Sequence, residues 1–300
     1  MPRTTAHDRV PPSWNARLST AGSPVCAPDW LALREPADAA ARASVLAEQL
    51  NGHLRAVHPA GTALVVRDLG CGTGSMARWL AGRLPDSTSQ HWVLHDRDPV
   101  LLDRAAASLP AGVTGETCPG DLTDLDAGRL AGTSLVTCSA LLDLLTGDEV
   151  EDIAEAVTTA GCPALLTLSV AGSVSVTPAD PLDDAFAAAF DAHQRRTADG
   201  RRLLGPDAAV AAAAAFERRG ARVTTAPSDW RLGPAEAELA QEWLRGWIEA
   251  ACVQRPELRA VAGECLRRRL TAAEAGELRV VVRHRDLLAL PAGDPRGGRS

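Results

Sequence analysis

Three glycines spaced two apart, with an acid just ahead of them, form the most chemically suggestive stretch of this 300-residue chain: Val65-Val66-Arg67-Asp68-Leu69-Gly70-Cys71-Gly72-Thr73-Gly74. The run joins an apolar segment to a helical one. A glycine turn at such a junction lets the backbone approach a ligand closely, and it aims helix N–H groups at that ligand. Ligands of open α/β sheets bind at the carboxyl ends of strands, which is where this turn falls. A second acid, Asp96, closes the segment Trp92-Val93-Leu94-His95, about twenty residues further on, where a carboxylate can accept both hydroxyls of a ribose. Asp98 precedes Pro99 and reads as the N-cap of the helix that the proline begins.

Two further segments complete a set: Pro119-Gly120-Asp121-Leu122 after a third strand, and Leu135 to Leu145 around a fourth. In this order the segments resemble the class I S-adenosylmethionine-dependent methyltransferases, whose first motif is Asp/Glu-x-Gly-x-Gly-x-Gly. The leading acid separates that motif from the ordinary dinucleotide fingerprint. The resemblance covers residues 38–170 and implies S-adenosyl-L-methionine as cofactor. Asp68 would bind its cationic amino group, directly or through water. Gly70, Cys71, Gly72 and Gly74 would line it, and Asp96, with Arg97 beside it, would hold the ribose. Asp121 would accept from the adenine amine, with Asp124 a competitor for that place. The Leu122 N–H would face a ring nitrogen, and Ser139 would lie beside the cofactor.

The acceptor side is less marked. Asp143 takes the polar place that follows the fourth strand in this family, and reads equally as a helix cap or a loop acid. His193, in the variable region, can serve as a base near neutral pH or be a structural or exposed histidine. Arg34 can pair with the cofactor carboxylate or lie on the surface. Trp230, Trp243 and Trp247 can line an apolar pocket or pack in the core.

These residues need a scaffold, and the periodicity supplies one. Asp38 is expected to cap a helix running through Leu54. Strands are expected at 63–66, 91–95, 113–118, 134–138 and 164–170, separated by helices at 75–84, 99–108 and 148–160. Strands alternating with helices at this spacing argue for a parallel sheet covered on both faces. Beyond Val170 the rhythm breaks into a connection at 171–181, helices at 182–194, 206–220, 234–253 and 258–270, a short strand at 222–226, and a last strand at 278–285 bracketed by Gly276 and Asp286. The family's fold is a Rossmann-like seven-stranded, mostly parallel sheet with an antiparallel last strand, here with helical insertions in the C-terminal half. One domain is expected over 29–290, with a cofactor-binding half to 170 and a substrate-binding half after it. Residues 1–28 and 291–300 read as disordered tails.

Composition narrows the function. The chain carries a net charge of −7, and all of its basic residues are arginine, which removes a lysine Schiff base and a P-loop lysine. The short arginine runs read as solvated helix faces, and no basic footprint for nucleic acid is expected. The seven cysteines show no metal-ligand spacing, and no metal is expected. No apolar stretch suits a membrane span, so the expected location is the cytoplasm. The expected reaction is methyl transfer to the oxygen or nitrogen of a small metabolite or natural product. Two rivals remain: a nicotinamide-dependent oxidoreductase, and a catalytically silent methyltransferase-like partner subunit.

Overall fold

The computed structural model describes residues 26–292 apart from 60, 86–87 and 122–124, so the expected tails at 1–28 and 291–300 lie outside the described residues except for 26–28, where Pro28 already opens a helix, and 291–292. The glycine run closes strand β1 (Leu64–Leu69), whose Leu64, Val66 and Leu69 are buried while Val65 and Arg67 are less so. β1 pairs in parallel with β2 (Gln90–Asp96) on one side and β4 (Leu135–Ser139) on the other. β3 (Val113–Pro119) adds in parallel to β2, and β5 (Ala164–Thr177) adds in parallel to β4. The long last strand β10 (Arg279–Leu290) runs antiparallel between β5 and β8 (Arg222–Pro227), giving the order β3-β2-β1-β4-β5-β10-β8. The seven expected strands are thus present, and β9 (Trp230–Leu232), not foreseen, pairs with β10 to make eight.

Helices cover both faces, as the alternation required. On one face α2 (Ser44–Val57) and α3 (Ser75–Leu80) pack Leu46, Leu50, Leu54, Met76 and Trp79 against β1 and β2. α4 (Pro99–Ala107) is opened by Asp98, which accepts from the Val100 N–H at 2.9 Å as an N-cap. On the other face α5 (Gly147–Ala160) and α7 (Ala208–Arg218) bury Ile153, Val157 and Phe216. α5 begins in a capping box between Thr146 and Glu149 and ends at Gly161, whose φ of 69° suits a residue without Cβ.

A third core lies beyond the parallel sheet. α1 (Pro28–Ala41), α6 (Asp183–Gln194), α8 (Ala237–Gln254) and α9 (Arg259–Glu274) gather around the outer part of β5 and β10. Here Trp243 stacks on Trp247 at 5.6 Å, and Phe186 packs on Trp247. Between α6 and α7, β6 (Thr197–Ala198) and β7 (Arg201–Arg202) form a small hairpin.

Three expectations are corrected. Asp38 does not cap a helix through Leu54; it is buried inside α1, and the chain breaks after Ala41 before α2 begins. Its carboxylate is taken by Arg34 four residues earlier and by the Trp230 indole, a partner far away in sequence. The connection at 171–181 is strand as far as Thr177, because β10 is long enough to pair with it. Asp286 does not end the last strand: it is fully buried within it, which extends to Leu290.

Candidate active site

The parallel strands β1, β2, β3 and β4 present their carboxyl ends to one edge, and a cavity of about 400 Å³ opens there. Asp68, Gly70, Cys71, Gly72, Asp96, Arg97, Asp121 and Ser139 all line it, as does Arg34. Gly74 lies just behind, at the start of α3, with φ of 82°. Leu122 lies outside the described residues.

The glycines are required by geometry. Gly70 has φ of 63°, and a Cβ there would stand 2.7 Å from a methyl of Leu141. At Gly72, with φ of 55°, a Cβ would meet Leu31 of α1 at 3.2 Å. The loop is therefore a bare backbone cradle closed in on two sides. Asp96 braces it: one carboxylate oxygen accepts from the Gly72 N–H at 2.9 Å, the other from the Asp98 N–H at 3.0 Å. Each oxygen keeps a second acceptor site.

Asp68 is 1% exposed. Its Oδ1 accepts from the Thr137 hydroxyl at 2.7 Å, while its Oδ2 has no partner. Burial pushes its carboxyl up to about 7, against the opposing pull of the Thr137 hydroxyl and the Arg42 charge. A buried acceptor without a donor costs free energy that a cationic amine would relieve. The cradle, the orphaned Asp68 oxygen and the brace at Asp96 fit the ammonium, sulfonium-bearing chain and ribose of S-adenosylmethionine.

Arg34 is already engaged: its Nε and Nη2 hold Asp38 at 2.9 and 3.1 Å, and its guanidinium lies 4.8 Å from the Trp230 ring centre. α1, which carries it, is latched across the site by the Glu35–Arg78 ion pair at 2.5 Å. Asp143 and His193 are not among the side chains that line the cavity, although Leu141, Leu144 and Leu145 around Asp143 are. The side chain of Asp143 lies in the short helical turn Leu142–Leu144, where burial pushes its carboxyl up to about 6. His193 closes the last turn of α6, and burial together with Arg196 pushes it down to about 4. Trp230, Trp243 and Trp247 are core residues and do not line the cavity either.

Arg42 was missed. Only 4% exposed, it donates from Nη2 to the Ser75 hydroxyl at 3.0 Å and the Ser139 hydroxyl at 3.1 Å, both on the cavity wall. Its plane faces Trp79, and Nε and Nη1 have no partner. Its two serines lie 33 and 97 residues along the chain, a separation that no local pattern signals.

Residues 66–161 match the family model described as a methyltransferase domain. No curated protein matches the chain in sequence. Among solved structures the fold is similar to a loganic acid methyltransferase with SAH (TM-score 0.48, 13% identity, 88% of this chain and 95% of that one). It is similar also to a cyclopropane synthase from Mycobacterium tuberculosis (0.41, 13%, 80% and 82%). A third is a putative sarcosine dimethylglycine methyltransferase from Galdieria sulphuraria (0.38, 15%, 82% and 85%). The domain match spans the glycine cradle, Asp96, Asp121 and Ser139, and runs against the nicotinamide reading of the same loop. The match identifies residues 66–161, which build the glycine cradle and hold Asp96, Asp121 and Ser139, as a methyltransferase domain.

Proposed function

We propose that the methyl acceptor is a small molecule, modified at oxygen or nitrogen. The observation that carries this reading is the wall of the cavity beyond Ser139, formed by Leu141, Leu144, Leu145, Ile153 and Leu203. Apolar walls with a few placed polar groups suit a metabolite. The net charge of −7 speaks against a nucleic acid acceptor.

S-adenosylmethionine supplies a methyl group already activated by its sulfonium. The chain's part is to bind, align and keep out water. In this reading Asp68 takes the ammonium through its free oxygen, Asp96 takes the ribose hydroxyls while holding the loop, and Asp121 takes the adenine amine. Arg97 flanks the ribose, and Ser139, fixed by Arg42 and Thr167, borders the methyl. Since neither Asp143 nor His193 lines the cavity, the acceptor is activated by proximity and orientation, and its proton leaves to water.

No helix among the described residues is long and apolar enough to cross a membrane. A cytoplasmic location without membrane or nucleic acid partners belongs to the same proposal, supported by seven free cysteines. The test is turnover: the protein with S-adenosylmethionine and a fractionated metabolite extract should form S-adenosylhomocysteine. Methyl incorporation into RNA or protein alone would overturn the small-molecule reading.

A further inference from the structure

The acceptor wall of the cavity carries a charge that the protein leaves unanswered. Four arginines line the cavity. Arg34 is held by Asp38, and Arg201 by Glu149 at 2.6 Å. Arg97 stands exposed beside the ribose carboxylate Asp96. Arg196 is the remaining one. Among the described residues it makes no ion pair, and its guanidinium donates only from Nη1 to the His193 carbonyl at 3.1 Å. It is half-buried, and loss of hydration pushes its pKa down. A partly desolvated cation without an anion is costly, and a guanidinium fork is matched to an oxyanion.

Its position is fixed in advance. The Arg196 N–H donates to the His193 carbonyl at 3.1 Å, and its own carbonyl accepts from Leu203 across the hairpin. The hairpin is tied to the β4 loop by Leu204 N–H to the Leu145 carbonyl at 2.8 Å. Arg196 is thus held at the apolar wall assigned to the acceptor. The acids facing this region do not answer it. Asp152 and Asp199 line the cavity but are exposed and hydrated. Asp143 acts on Arg196 only at longer range, with no ion pair between them, and burial pushes its carboxyl up to about 6.

We propose that Arg196 anchors an anionic group of the acceptor, a carboxylate or phosphate, so that this enzyme methylates small acids rather than neutral molecules. The proposal rests on the small-molecule reading and adds the charge class of the substrate. An oxyanion on Arg196 would orient the acceptor from the end opposite the cofactor.

The test uses the full chain saturated with S-adenosylhomocysteine, titrated with benzoate, with its neutral isostere benzamide, and with inorganic phosphate, with binding read from thermal stability. Benzoate or phosphate should stabilise the wild type while benzamide does not. In Arg196→Gln the apparent affinity for the anion should fall at least fivefold, and Arg196→Lys should retain part of it. Arg222→Gln, which removes an exposed arginine remote from the cavity lining, should change nothing. Stronger stabilisation by phosphate than by benzoate assigns a phosphorylated acceptor, and the reverse a carboxylic acid. Equal binding of benzoate and benzamide, or an anion effect that survives in Arg196→Gln, overturns the proposal. Should Arg196→Gln fail to fold, Arg196→Lys decides the matter: an anion effect weaker than in Arg222→Gln supports the proposal, and an undiminished one overturns it. Failure of S-adenosylhomocysteine itself to bind would instead strike the cofactor reading, so the two failures are distinguishable.

Discussion

The buried carboxylate of Asp286 accepts the backbone N–H of Leu168 at 2.7 Å, and Leu168 sits at φ of 56° in the interior of β5. A left-handed leucine inside a strand is strained and persists only where its surroundings hold it. The other Asp286 oxygen accepts from Ala43 at 2.8 Å, in the break between α1 and α2. One side chain therefore ties the helices over the cavity to an irregularity in the sheet. Asp286→Ala orphans two N–H groups, at about 1–3 kcal/mol each. The urea midpoint should fall accordingly, while Asp286→Asn, which keeps one carbonyl acceptor, should fall less.

In its proposed role as ligand of the ammonium, Asp68 would give cofactor binding a pH dependence. Its carboxyl, raised to about 7 by burial, must be ionised to answer an ammonium. Affinity for S-adenosylhomocysteine, followed by calorimetry from pH 5.5 to 8, should rise toward a plateau above 7, by up to about tenfold per unit below it. Asp68→Asn should bind weakly and flatten the profile. In the free protein the sign reverses. A carboxyl whose pKa is raised on folding contributes most below the unfolded value of 3.8, and that contribution is lost as pH rises through 7. The apo form should therefore lose stability over that range, and bound ligand should offset the loss.

The cradle can be tested by crowding. Gly70→Ala places a methyl group 2.7 Å from Leu141 and forces an L-residue to φ of 63°. The backbone part costs about 1–2 kcal/mol, and the clash adds to it. Leu141→Ala in the same chain should recover the clash but not the backbone part. A double-mutant cycle on thermal stability and ligand affinity should show that coupling, and strictly additive effects would place Leu141 elsewhere.

His284 sets a limit on the acid side. It is buried against Trp230, with ring centres 5.4 Å apart, and burial, with Arg34 as the next cause, pushes it down to about 4. The unfolded chain takes up this proton near 6.5. Stability from this site is complete above 6.5 and is lost as pH falls toward 4. Chemical denaturation at pH 7 and pH 4.5 should show that loss, and His284→Phe should reduce it.

Much of the parallel half of the sheet and its glycine cradle could be read from sequence because the signals are local. Gly70, Gly72 and Gly74 announce a turn, Asp96 ends a buried run, and Asp98-Pro99 starts a helix, each marked by residues next to it in the chain, although Asp96 also reaches back 24 residues to Gly72. Arg42, Asp38 and Asp286 were misread or passed over for the opposite reason. Each is a buried charge with at least one partner far along the chain, so nothing nearby marks it as interior. β9 was hidden because a three-residue strand carries no period. The wall proposed for the acceptor was hard to read because Arg196 lies just ahead of a short hairpin, where fold-wide patterns say nothing about which way a side chain faces.

The place of β10 in the sheet bears on how the chain is made. Strands β1 to β5 can pair as they leave a ribosome, each finding a neighbour already synthesised. β8 and β9 cannot, because among the described residues their only partner in the sheet is β10, which emerges about fifty residues later, and contacts at such separation are slow to form. Until then the outer half of β5 also has an open edge, a template for pairing with another chain. The segment that holds Arg196 and the hairpin is therefore translated before β8, β9 and β10 complete the sheet. A nascent chain of this protein is most exposed to aggregation in the interval between its seventh helix and its last strand.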